Sequence, residues 1–223
     1  MKPTYPAAAL AAVVSLSGTA QAAFWIDLTD ENEITPSSSS EGNVVTGGLG
    51  LGSSLGGSFD LTGSGNPGDV VIGDSVGGLP SGIAGDFDGL GVVGGGSDDD
   101  EVDGTNVDGV ETLTMTFDSA TTITGFRFLD LFPDESVDVT GTGSGGPFTT
   151  NVSADPNSSQ GFQEVTGLAW AGVDTLTFVP GELDDRSSDP NFAFAGAQVV
   201  PLPAAAWLMI GGLGAIGAYA RRA

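Results

Sequence analysis

The sequence predicts an all-β body, an antiparallel β-sandwich of jelly-roll type, set between an N-terminal signal peptide and a C-terminal transmembrane helix. Three observations carry that expectation. Glu111-Thr112-Leu113-Thr114-Met115-Thr116-Phe117 alternates polar and apolar residues, the period of a strand with one wet face. Similar segments recur at intervals of roughly 10–15 residues, separated by Gly, Asp, Ser and Pro. Between residues 24 and 199 no stretch repeats its apolar positions at the helical period.

Residues 1–22 read as a targeting segment. Met1-Lys2 is followed by an apolar run through Ala7 to Leu16, and then by Ser17-Gly18-Thr19-Ala20-Gln21-Ala22. A short positive start, an apolar run and a small-x-small end form a secretory signal peptide. Cleavage after Ala22 or Ala23 leaves a chain that starts near Phe24.

Residues 23–199 form the body. All 29 acidic residues fall between Asp27 and Asp189, where Arg127 and Arg186 are the only basic residues, so this part alone carries −27. Gly42 to Gly96 contains 20 of the 37 glycines. Brief strands are expected within it at Val44-Val45, Phe59-Asp60-Leu61, Val70-Val71-Ile72 and Gly91-Val92-Val93. No nine-residue calcium repeat is present. In the second half, Leu113, Met115 and Phe117 face inward and the three intervening threonines outward. Residues 122–129 give the next strand, with a bulge at Gly125, which breaks the alternation between Ile123 and Phe126/Phe128. Val137-Asp138-Val139, Phe148 to Val152, Asp174 to Val179 and Phe192 to Ala197 complete the set. Phenylalanines with Trp25 and Trp170 supply the core.

Residues 200–223 read as a second targeting segment. From Ala204 to Ala220 run 17 uncharged, mostly apolar residues, closed by Arg221-Arg222. As a helix they extend roughly 26 Å, enough for the hydrocarbon core of a membrane. The arginine pair acts as the membrane stop and stays on the cytoplasmic side, which places the body outside. Pro201 and Pro203 hold the preceding stretch extended.

Val200-Pro201-Leu202-Pro203-Ala204, then Trp207, Gly211-Gly212-Leu213-Gly214 and Arg221-Arg222, resembles the VPLPA variant of the PEP-CTERM sorting signal. That family comprises exported proteins of Gram-negative bacteria. The resemblance implies recognition by an exosortase-type membrane protease, cleavage at or near the motif, and delivery to the cell surface or extracellular matrix. It also implies a setting of exopolysaccharide and biofilm. Gly89-Leu90-Gly91-Val92-Val93, the acidic run after it, Val110-Glu111-Thr112-Leu113 and Phe117-Asp118 are similar to β-sandwich domains found ahead of such anchors, in which the acidic run is a loop leading into a strand.

The acidic run itself, Asp98-Asp99-Asp100-Glu101-Val102-Asp103-Gly104, is the candidate binding site. Asp99, Glu101, Asp103 and Gly104 match the front of a calcium loop, since calcium takes hard oxygen ligands. The twelfth position is Val110, with Glu111 one residue late, and a strand follows instead of a helix. Two readings therefore stand: a loop-type Ca2+ site formed by Asp98, Asp99, Asp100, Glu101 and Asp103, or a solvated acidic loop. Asp86, Asp88, Asp184 and Asp185 are further candidate ligands.

Composition excludes much else. With no histidine and no cysteine, there is no Ser-His-Asp triad, no cysteine nucleophile and no zinc site of nitrogen and sulfur ligands. A net charge of −24 opposes nucleic-acid binding. Carboxylate-only catalysis of the glycosidase kind needs a specific pair, and 29 acids supply pairs by number alone. The expectation is a non-catalytic exported protein, structural or interactive in an exopolysaccharide layer; the alternative is a calcium-dependent carbohydrate-binding or adhesive module.

Overall fold

The computed structural model describes residues 23–30, 34–36, 45–48, 58–64, 69–72, 83, 89–93, 101–104, 110–156, 161–182 and 190–200. These contain eleven strands and no helix: β1 (Phe24–Asp27), β2 (Ile34–Pro36), β3 (Val45–Gly48), β4 (Ser58–Ser64), β5 (Asp69–Ile72), β6 (Leu90–Val93), β7 (Thr112–Leu129), β8 (Glu135–Gly143), β9 (Phe148–Ser153), β10 (Gln163–Glu182) and β11 (Ala193–Val200). One path through the sheet runs β2-β3-β4-β7-β10-β8-β9, and β11 joins it at β7 with β1 and β6 on β11 and β5 on β6. Every recorded pairing is antiparallel. The segments expected to be a signal peptide (1–22) and a membrane helix (204–220) lie outside the described residues, among which no helix is long and apolar enough to cross a membrane.

The alternation of the sequence is the alternation of the sheet. Leu113, Met115 and Phe117 are buried, while Thr112, Thr114 and Thr116 are half-buried or exposed on the other face. Two expected strands, 111–117 and 122–129, prove to be one strand of 18 residues. The chain does not turn at the polar stretch between them; it changes neighbours. Up to Phe117 the strand pairs with β4, and from Thr122 with β11. Exposed Asp118 and Ser119 sit where one neighbour ends and the other begins.

The expected bulge is present. Gln198 pairs with Gly125 and Val199 with Ile123, so β7 spends two residues where β11 spends one. A Cβ at Gly125 would stand 2.5 Å from the Val165 carbonyl oxygen of β10, so close approach of two backbones requires glycine here. The extra residue lets Ile123, Phe126 and Phe128 all be fully buried.

The sheet also bends back on itself. Phe178 of β10 is the rung partner of Leu113. On a straight strand Leu113 and Phe126 would stand roughly 40 Å apart. Yet the Phe178 ring lies 5.7 Å from Phe126, 6.0 Å from Phe128 and 4.1 Å from Phe194. β7 and β10 must therefore curve, bringing their distant halves face to face around one core. The register shifts along β10, beside Gly167 (φ 79°) and Gly172 (φ 71°), provide that curvature. The core holds Phe59, Phe126, Phe128, Phe178, Phe192 and Phe194, all fully buried, with Trp170 stacked on Phe148 at 5.5 Å. Each edge or tilted ring pair adds about 0.5–1.5 kcal/mol beyond the area it buries.

Candidate functional site

The second half of the acidic run is threaded into the sheet. The Val102 N–H donates to the Phe192 carbonyl at 2.8 Å, and the Gly104 N–H to the Pro190 carbonyl at 2.8 Å. On its other side, the Val92 N–H of β6 donates to the Glu101 carbonyl at 2.9 Å. Val102 is fully buried although charged residues flank it, and Asp103 after it is buried as well. Gly104 is required for a reason other than the sharp turn of a calcium loop. A Cβ there would meet Pro190 Cγ at 2.5 Å and its carbonyl oxygen at 2.9 Å.

Two carboxylates of this region are inside the protein. Asp103 is 5% exposed and Glu111 1%. Glu111 and Asp103 clasp each other across the residues between them: the Glu111 N–H donates to the Asp103 carbonyl at 2.8 Å, and the Asp103 N–H donates to Glu111 Oε2 at 3.0 Å. A buried carboxylate left without donors is costly, and this reciprocal pair supplies one. Glu101, half-buried, accepts a hydrogen bond from Asn191 Nδ2. The Glu111 carboxylate is thus held by the Asp103 backbone, and the Glu101 carboxylate by Asn191, just ahead of β11.

Of the five residues read as a calcium loop, Glu101 and Asp103 are placed, and Asp98, Asp99 and Asp100 lie outside the described residues, as do Asp86, Asp88, Asp184 and Asp185. Both sequence readings put the whole run in a loop. Glu101–Gly104 belong to no strand, so the loop stands there; what is corrected is that this part is solvated, because its backbone is bonded on both sides and Asp103 is buried. Among the described residues, no three acidic side chains are grouped so as to hold a metal ion.

Glu111 is a site residue that spacing alone misses, since the calcium pattern places it one residue late. Strand parity finds it: residues 111, 113, 115 and 117 share a face, so a carboxylate at 111 must point inward with Leu113. Arg127 is the second residue that the sequence left unexplained. It lies in β7 with its side chain 11% exposed, bonded through Nε to Glu164 at 2.8 Å and lying 3.9 Å over the Trp25 ring. This stack fastens β1 against β7. Neither tryptophan offers a bare sugar platform: Trp170 belongs to the core, as expected, and the face of Trp25 is covered by the guanidinium.

β1 and β11 bring the two ends of the described body together. Phe24 pairs with Val199 and Asp27 with Gly196, so residue 24 and residue 200 lie at the same end of the same pair. Val200, the first residue of the Val200–Ala204 stretch read as a sorting motif, is the last residue of β11 and pairs with Thr122. The next residue in sequence, Pro201, has no N–H to give to a ladder. Pro201, Leu202, Pro203, Ala204, Arg221 and Arg222 lie outside the described residues. Against this geometry, no family model, no curated protein and no solved structure matches the chain.

Proposed function

We propose that this is an exported, non-catalytic protein of the cell surface or extracellular matrix, sorted by an exosortase-type membrane protease. The observation that carries the reading is the pairing of β1 with β11. It pairs Phe24 with Val199, and the reading puts signal cleavage just ahead of Phe24 and the VPLPA stretch from Val200 on. A body with entry and exit side by side can hang from one membrane by the helix 204–220 while both ends are processed. The back-folded sheet is read as a β-sandwich of jelly-roll type, whose closed core leaves an outer surface for contacts in an exopolysaccharide layer.

Expression of the full chain and of a chain ending at Val200, in Gram-negative cells with and without an exosortase, tests this. Sorting predicts surface delivery of the full chain only where the protease is present, and loss of the short chain to the medium in both strains. Equal fates of the two chains would refute it.

A second reading, calcium-dependent adhesion, draws on the anchoring of Glu101 and Asp103 directly behind Asp98, Asp99 and Asp100. Loop carboxylates extending from so fixed a base repel one another unless a cation joins them. It predicts a thermal midpoint that rises with added calcium and no longer does so in the D98N/D99N/D100N variant. A midpoint unmoved by calcium would refute this second reading.

A further inference from the structure

Among the described residues, four strands of the sheet have one neighbour each: β1 pairs with β11, β2 with β3, β5 with β6, and β9 with β8. A strand edge without a partner invites a second chain, and short length, charge and proline are the usual guards. β1 has four residues and Asp27, β2 three residues and Pro36, and β5 four residues and Asp69. β9 has six residues, Phe148-Thr149-Thr150-Asn151-Val152-Ser153, with neither charge nor proline. Of these four edges it is the unguarded one.

The sequence of β9 is complementary to itself. Phe148, Thr150 and Val152 share the face toward the core, and Thr149, Asn151 and Ser153 are exposed on the other. Directly opposed residues of an antiparallel ladder share a face, so two copies related by a two-fold axis must meet on a residue, not between residues. With the axis at Thr150, Phe148 faces the copy's Val152, Thr149 faces the copy's Asn151, and Thr150 faces its own counterpart. Apolar then meets apolar and polar meets polar. The Phe148 ring is stacked on Trp170 at 5.5 Å yet only half-buried, so this rung shelters apolar surface that the single chain leaves open. An unrelated peptide would gain the same ladder bonds; the rung-by-rung match belongs to a second β9.

We propose that two copies of this chain join β9 to β9 in that register, continuing the sheet from one body into the other. The 29 acidic residues oppose a close meeting of two bodies, and this register keeps the nearest carboxylates apart. Exposed Asp138, on β8, accepts a hydrogen bond from Asn151 Nδ2 at 2.8 Å and stands one strand behind the edge. The two Asp138 side chains are at least three strand spacings apart, roughly 14 Å, beyond the screening length of about 8 Å. Asp155 lies past the end of β9, and in an antiparallel pair the two copies of it stand at opposite ends of the joint. One strand pair is a small interface, so association is weak in dilute solution and grows where many chains are held on one surface.

The chain has no cysteine, so single cysteines report contact between copies without background. The purified full chain in detergent, at roughly 100 µM, is oxidised mildly as the T149C, T150C and N151C variants and read on a non-reducing gel. T116C, three strands away on β7, is the control. Opposed Cα atoms of an antiparallel pair lie about 4.5–5.5 Å apart, within disulfide range, so T150C should cross-link about tenfold faster than the other three. Sedimentation of the cysteine-free chain covers the case in which a cysteine disturbs the fold. There the dimer should increase with salt, and Thr149→Asp should weaken it about tenfold while Thr116→Asp leaves it unchanged. A cross-linking maximum at 149 or 151, equal cross-linking of T150C and T116C, a monomer at that concentration, or a dimer indifferent to Thr149→Asp would each overturn the proposal. No step of the test involves sorting, so its failure and that of the sorting reading are told apart.

Discussion

The two halves of β7 are made of one continuous strand yet live in different surroundings. From Thr112 to Phe117 every second residue is wet, whereas from Gly125 to Leu129 all five are buried. The first half shows threonines to solvent and needs only the core beneath it. The second half is covered on both faces, by the phenylalanine core on one and by Leu129, Ala193, Ala195 and Phe162 on the other. Covering the second face demands small residues, a bulge, and an arginine shielded by Trp25 and paired with Glu164. One half of the strand is free to carry a surface function because the other half carries the fold.

The largest effect should come from the point where the two halves meet. Phe178→Ala removes a ring that touches Phe126, Phe128 and Phe194, and should cost about 3–5 kcal/mol by denaturant unfolding. A cost near that of an exposed residue would mean that the sheet does not bend back. Gly125→Ala comes next, at about 1–3 kcal/mol, because the new Cβ would press on the Val165 carbonyl. Were the wet half the more demanding, Gly63→Ala, at the rung of Leu113, would cost more.

A smaller effect is expected from the clasp on β1. Glu164 is 35% exposed, so its ion pair with Arg127 adds little in water, and the Trp25 stack adds about 1 kcal/mol. A double-mutant cycle of Arg127→Met and Trp25→Leu should show coupling of about that size, falling little with added salt. Coupling near zero would leave β1 held by its ladder with β11 alone. The smallest stability change should follow Thr114→Val on the wet half, within about 0.5 kcal/mol by thermal unfolding. A larger loss would make the threonines part of the scaffold.

The same contrast decides what could be read in the sequence. Where one face is wet, period-two alternation is visible, and the strands at 111–117, 137–139, 148–152 and 174–179 were legible. Residues 163–173, the first half of β10, run through Gly167, Ala169 and Gly172 and gave no strand signal, since bulges there shift the register and small residues stand where an apolar face would show. β1, Phe24–Asp27, was not among the expected strands. At the acidic run, residue type pointed to the right segment but not to its burial. Burial of Asp103 depends on backbone bonds to residues 190 and 192, far along the chain, which no local pattern reveals.

The central claim is that a folded acidic body is exported and trimmed at two adjacent ends. Intact mass and terminal sequencing of the protein recovered from exosortase-bearing cells test it directly. The account predicts a product that begins at Ala23 or Phe24 and ends between Val200 and Ala204, with Arg221 and Arg222 gone. A product that keeps the residues beyond Ala204, or that begins ahead of Ala22, would contradict it.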